Sequence, residues 1–440
     1  MSFPKYPKYK PSGVDWLGDV PAHWEVIPLK QYANFINGDA FKPSDWAEDG
    51  LPIIRIQNLN GGDDFNYFSG DIETRYLVHD GDLLFGWSGN RGTSFGPFLW
   101  RHPQVCVLNQ HIFRVDPRNI TKESLYWVLK AVTAHVEDQA HGIIGMVHIT
   151  KGDLGAIKIP IPPLPEQTAM AEFLDRETGK IDALVAEQRR LMELLKEKRQ
   201  AVISQAVTRG LNHQAPLKPS GIPWLGNVPA HWEVCRVKSL ASEKLTYGAN
   251  ESAEDDNPDN PRFIRITDIK DDGSLHDDTF KSLPLEIAIP YLLEHGDILL
   301  ARSGATVGKA AAYRAEWGKC CFAGYLIRLR CKLIKTTPMW VILFTQSSSY
   351  WAQIKEGTIQ ATIQNFSAEK YAEMRIPLPP LAEQTAILRH LESETTKFDT
   401  LIAEAQRAID LLQERRTALI SAAVTGQIDV RKTPLTHNKS

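Results

Sequence analysis

The chain repeats itself, and that duplication restricts the possible architectures more than any other feature. Residues 11–26 read PSGVDWLGDVPAHWEV and residues 219–234 read PSGIPWLGNVPAHWEV, thirteen of sixteen positions identical at an offset of 208. A second block, IPIPPLPEQTA at 159–169, returns as IPLPPLAEQTA at 376–386, at an offset of 217. That offset persists from Asp182 with Asp399 to Arg199 with Arg416, up to AVT at 206–208 and 423–425. Between the blocks the halves share only islands, such as Arg55-Ile56 with Arg265-Ile266, and GDLLFGWSG at 81–89 with GDILLARSG at 296–304. Self-similarity at so long a period means two copies of a whole structural unit. At 440 residues the chain also exceeds the size one hydrophobic core sustains.

The segments after the proline clusters read as long helices. Between Gln167 and Thr208 there is no proline, and Gly179 is the one glycine. Apolar residues recur at Ile181, Leu184, Leu191, Leu195 and Val202, and in the second copy at Phe398, Leu401, Ala405, Ala408, Leu412 and Leu419. Spacings of three and four predict a seam that packs on another helix. A helix of about 40 residues is ~60 Å long. Chain order then predicts two antiparallel helices paired as a coiled coil, with one variable domain at each end. The N-terminal repeat segment is expected where the last helix returns, giving a cyclic, pseudo-two-fold repeat. In the variable regions, strands are expected over 52–59, 81–88 and 111–117, and helices over 123–139 and 339–356.

The fold class predicted is therefore α+β: two α+β domains joined by two long antiparallel helices. The divisions are 1–26, a repeat segment; 27–160, the first variable domain; 161–215, the central helix; 216–234, the second repeat segment; 235–377, the second variable domain; 378–430, the C-terminal helix; and 431–440, a tail.

Catalytic signatures are missing from the sequence. It has no GxxxxGK[ST] phosphate loop, no glycine-rich dinucleotide entry and no [DN]PP[YF] tetrapeptide. Thirteen histidines form no HxxxH or HxH pair, so neither a metal nor a catalytic residue is assigned. Five cysteines without a CxxC pair read as buried free thiols. No run approaches the ~20 apolar residues of a bilayer span, and the N-terminus lacks an apolar signal core, so a cytoplasmic chain without membrane association is expected.

Glycine-bearing turns after strands supply the candidate contacts to nucleic acid. Ser88, Asn90 and Arg91 in WSGNRGTSFG match Arg302, Ser303, Thr306 and Lys309 in RSGATVGKAA. Asn109, Gln110 and His111 in one half, and Gln360, Thr362, Gln364 and Asn365 in the other, add side chains that pair with adenine edges or phosphates. Arg55, Gln57 and Asn58, with Arg265 and Thr267, complete the set. His148 and Asn365, just before the junctions, suit either a reading or a capping role. The aromatic blocks admit two compatible uses. Trp16 and Trp24, with Trp224 and Trp232, can staple helix to domain or dock a partner. Glu166-Gln167 and Glu383-Gln384 open the long helices with a carboxylate at the positive end, and belong to the same surface.

Taken together, these duplicated blocks resemble the specificity subunits of type I restriction-modification enzymes, over nearly the whole length. The elements carrying the resemblance are PSG-x-x-WLG-x-VPAHWEV, IP-x-PPL-x-EQTA, the long helices ending in AVTRG or AVTGQ, and GD[LI]L-x-x-x-SG. Ala382 in place of Pro165 is a minor departure. The resemblance implies that each variable domain is a target-recognition domain for one half of a split, asymmetric site in double-stranded DNA. It also implies that the helices set the spacer and bind two modification subunits, which hold S-adenosylmethionine and methylate adenine. Two restriction subunits using ATP and magnesium would complete the complex, leaving this chain without a cofactor. The net charge of −3 is compatible if partners neutralise phosphates. Competing expectations are a coiled-coil scaffold whose end domains bind proteins, and a free-standing DNA-modifying enzyme.

Overall fold

In the computed structural model, residues 3–140, 145–270, 273–358 and 365–432 are described. The chain divides into two compact units: residues 1–188 with 407–440, and residues 189–406. The first unit is assembled from two sequence-distant segments, the second from one continuous stretch.

The first unit is built on an antiparallel sheet of strands Gly96–Leu99, Leu83–Gly86, Ile112–Pro117 and Ala33–Asn37, in that order. Its inward residues, including Phe35, Leu83, Phe85, Phe113 and Val115, are buried. Helix α1 (Lys122–Gln139), capped by Thr121 accepting from the Ser124 N–H, presents buried Leu125, Val128, Leu129 and Val132. A parallel pair, Leu51–Ile54 with Cys106–Leu108, forms a second layer. Strand Lys158–Ile161 returns beside Glu25–Pro28, so the variable domain begins and ends at one place.

Within the second unit the same plan recurs. Strands Thr246–Tyr247, Leu326–Arg330, Asp297–Ala301 and Ala310–Ala312 form the antiparallel sheet. Arg262–Ile264 runs parallel to Cys320–Phe322, and Arg375–Leu378 closes on Glu233–Arg236. The helical stretch expected over 339–356 is two helices, α3 (Pro338–Thr345) and α4 (Ser348–Thr358). Buried Ser347 makes the break, its hydroxyl donating to the Phe344 carbonyl and accepting from the Tyr350 N–H. The strand expected over 52–59 stops at Ile54, and Ile56–Asn60 is a 3₁₀ turn. All five cysteines are free and buried, and burial pushes the Cys320 and Cys321 thiols up to about 12.

The long helices are α2 (Leu164–Arg209) and α5 (Leu381–Val424), 46 and 44 residues. Pro165 falls in the first turn, where its missing N–H costs nothing. The expected stripe holds in part. Ile181, Ala405 and Leu419 are buried and Leu195, Val202, Phe398, Ala408 and Leu412 half-buried, whereas Leu184, Leu191 and Leu401 are exposed and Val185, Ile203 and Ile409 are buried beside the expected positions. Apolar neighbours such as Leu184 and Val185 leave the phase of a 3.6-residue period open in sequence. In the first unit Arg416 Nε donates to Asp182 at 2.9 Å, and in the second Arg199 Nε donates to Asp399 at 3.0 Å. The two pairs are related by the 217-residue offset.

Both pairs face water, so each contributes only ~0.2–1 kcal/mol. Reversing Asp182→Arg is expected to cost about 1 kcal/mol, and adding Arg416→Asp to recover most of it in urea titrations. Simple additivity of the two changes would show that these side chains do not act on each other.

Candidate nucleic-acid interface

In the first unit, a corner forms where strands Ala33–Asn37 and Ile112–Pro117 reach the parallel layer. The Gly38 N–H donates to the Ile112 carbonyl and the Asp39 N–H to that of Leu108. A Cβ on Gly38 would lie 2.1 Å from the Asn109 carbonyl oxygen, so glycine alone fits. The Trp87 N–H donates to the His111 carbonyl, and the Trp87 carbonyl accepts from the Ile149 N–H. The indole lies nearly parallel to Phe113 at 5.7 Å, with the rings of His148 at 4.8 Å and His111 at 5.5 Å. Its Nε1 donates to the Gln110 carbonyl. Gln110, His111 and His148 are exposed around it, with Asn109 half-buried beneath.

The second unit rebuilds this frame bond for bond. Gly248 N–H donates to Leu326, and Ala249 N–H to Phe322. A Cβ on Gly248 would lie 2.2 Å from the Phe322 carbonyl oxygen. Arg302 N–H donates to Tyr325, and the Arg302 carbonyl accepts from Phe366 N–H. Strand pairing sets His148 opposite Ser88 and Asn365 opposite Ser303. The backbone thus matches Trp87 with Arg302, His111 with Tyr325, His148 with Asn365, Asp39 with Ala249 and Asn109 with Ala323. Equivalent positions on one frame carry unlike side chains.

Some expected readers are already engaged. The Asn58 amide accepts from Arg55 N–H and donates to the Gly62 and Asp64 carbonyls, and the residue is buried. Arg265 grips buried Asp268 and donates to the Thr279 carbonyl. Arg55 lies over Trp46, and Gln57 is exposed beside it. These serve the 3₁₀ turns beneath the corners. Arg91 Nη2 donates to the Glu137 carbonyl at 2.6 Å, capping the end of α1. Asn90 is exposed, its N–H bonded to buried Ser94. Thr306 donates to the Ser303 carbonyl, and Thr267 is exposed. Lys309 lines a cleft of about 700 Å³ with Lys196, Arg199 and Lys270. Gln360, Thr362 and Gln364 lie outside the described residues. Trp87, Tyr247 and Tyr325 were not singled out in sequence; their signal is adjacency to the duplicated glycines and the SG island.

The junction residues form sutures. Gln167 Nε2 donates to the Pro162 carbonyl while Oε1 accepts from Thr121 N–H, which ties α2 to the start of α1. Gln384 does the same with the Pro379 and Lys335 carbonyls and with Thr336 and Thr337. Buried Glu166 accepts from Tyr6 Oη (3.1 Å), Trp24 Nε1 (2.9 Å) and Arg431 Nη1 (3.3 Å), and bonds His23 at 2.8 Å. Burial and that carboxylate raise the Tyr6 pKa. Tyr9 Oη donates to the Gly426 carbonyl and Asp429 N–H to that of Pro4, so the N-terminal segment does meet the end of α5. Glu383 bonds His231 at 2.7 Å, while the buried Trp232 Nε1 has no partner among the described residues. Trp24 and Trp232 are enclosed; Trp16, stacked on His135, and Trp224 are half-buried.

Comparison with known proteins agrees with this duplicated design. Residues 21–191 and 229–409 each match the type I restriction modification DNA specificity domain. The specificity subunit of the type I restriction enzyme EcoBI of Escherichia coli is 24% identical, the match covering 94% of this chain and 88% of that one. The MjaVIII specificity subunit of Methanocaldococcus jannaschii is 23% identical, with 94% of each covered. A chain from a structure described as the basis of complex assembly and conformational transition of the type I R-M system aligns with TM-score 0.67. Its identity is 15%, over 92% of this chain and 98% of that one. The chain belongs to the type I restriction-modification DNA specificity family and carries the domain twice. It is a subunit for DNA target recognition, and catalysis resides in other subunits. Among the described residues no helix is long and apolar enough to cross a membrane, and no three potential ligands gather to hold a metal.

Proposed function

We propose that the domains spanning 27–160 and 235–377 each read one half of a split, asymmetric site in double-stranded DNA. The observation that carries this reading is the pair of corners, identical in backbone and different in side chains. A shared frame with unlike contents suits two unlike sequences presented to a common machinery. Helices α2 and α5, paired antiparallel as a coiled coil, hold the halves at a fixed spacing. The duplicated junctions give two equivalent mounts for two adenine-methylating modification subunits and, through these, the restriction subunits. Trp16, Trp224 and Glu383 are the junction side chains left accessible for such a partner.

With a net charge of −3, the chain alone is expected to bind DNA weakly. The complex with modification subunits binds tightly, and its affinity falls with added salt as phosphate contacts displace counterions. The test is to express the chain with its cognate modification subunit in a host lacking adenine methylation and map the methylated sites. A single two-part motif with an unread spacer is expected. Methylation without a two-part motif, or at equal efficiency without this chain, rejects the reading.

A further inference from the structure

Arg302 is one of the arginines of the second unit that no carboxylate engages among the described residues. Arg265, Arg328 and Arg330 each face a carboxylate, of Asp268, Glu243 and Asp297 respectively, at 2.7–2.9 Å. Arg302 forms no ion pair among the described residues. Among the described residues its Nη1 makes one long contact, 3.4 Å, with the Gly324 carbonyl, and neither its shielded Nε nor its Nη2 makes a hydrogen bond. Instead, the guanidinium lies 4.8 Å from the centre of the Tyr247 ring. That ring is fixed, its hydroxyl accepting from the Ala368 N–H at 3.0 Å. The backbone on either side of the arginine is tied to Tyr325 and Phe366.

A guanidinium resting on an aromatic face keeps its N–H donors directed outward from its rim, in one plane. Two such donors, side by side, match the O6 and N7 acceptors that guanine presents in the major groove. A lone phosphate would be served as well by a flexible lysine; packing on the Tyr247 ring restricts the directions the Arg302 fork can take, which a base edge requires. At the matched position the first unit has Trp87 on Phe113, which offers no paired donors.

We infer that Arg302 reads a guanine in the half-site recognised by the second domain, with Tyr247 as the positioning residue that holds its plane. This rests on the proposed function and adds the base, the residue and the half. The test uses the complex with modification subunits. Once the wild-type methylation motif is mapped, Arg302→Lys is expected to relax one G·C position, lowering discrimination there by about ten- to a hundredfold. Tyr247→Leu relaxes the same position more weakly, and Tyr247→Phe, which keeps the ring face but not the bond to Ala368, restores most of the discrimination. Independently of any variant, 7-deazaguanine at that position, which lacks the N7 acceptor, weakens wild-type binding by about tenfold. The inference is overturned if the motif keeps every position in Arg302→Lys, if the relaxed pair is A·T, or if 7-deazaguanine has no effect. A two-part motif with those outcomes rejects this inference alone, whereas the absence of any two-part motif rejects the reading beneath it.

Discussion

Replacing Glu166 by alanine is expected to destabilise the first unit by about 3 kcal/mol, whereas Glu383→Ala should cost the second about 1 kcal/mol. The difference lies in what each carboxylate holds. Glu166 accepts from Tyr6 and Trp24, which are buried, and pairs with His23 and Arg431. Deleting it strands two buried donors, each costing ~1–3 kcal/mol. Glu383 bonds only His231 among the described residues, half exposed to water, and Trp232 Nε1 is unpaired already. The two units need not unfold together, so hydrogen exchange at each junction during urea titration is the measurement. Equal losses at the two junctions would contradict this account.

That asymmetry also shows where sequence reading stops. The PAHWEV and EQTA blocks are nearly identical between halves, and from them the junctions, the long helices and the cyclic closure could be anticipated. The extra ligands of Glu166 come from Tyr6 and Arg431, outside the duplicated blocks, where no internal comparison reaches them. The helical stripe is legible only in part, because Leu184 and Val185 satisfy the same pattern and only packing selects Val185. Candidate contacts fared unevenly for a related reason. Asn58 and Arg265 carry the right chemistry but spend it inside their own turns. Tyr247 looks like a strand aromatic until Arg302 is seen against its face. Composition shows which groups can donate; only the three-dimensional arrangement shows which are still free to do so.

The corners themselves supply the sharpest functional test. Gly38→Ala would place a methyl group 2.1 Å from the Asn109 carbonyl oxygen and 2.4 Å from that of Leu108. Neither is a side chain that can swing away, so the corner must open by about 1 Å or more, at a cost of ~1–3 kcal/mol or above. Asn109, Gln110 and His111 move with it, and Trp87 loses the carbonyl its indole donates to. Gly248→Ala does the same to Ala323, Gly324 and Tyr325, and so to the Gly324 contact of Arg302. Each substitution leaves the sutures at Gln167 and Gln384 untouched, so assembly with modification subunits is expected to persist. Methylation mapping should then show two complementary losses. Gly38→Ala blurs one half of the motif by about a hundredfold and Gly248→Ala blurs the other, in keeping with misplaced bidentate contacts worth ~1–3 kcal/mol each. If both variants degraded the same half, the proposal that the corners are separate reading heads would fail.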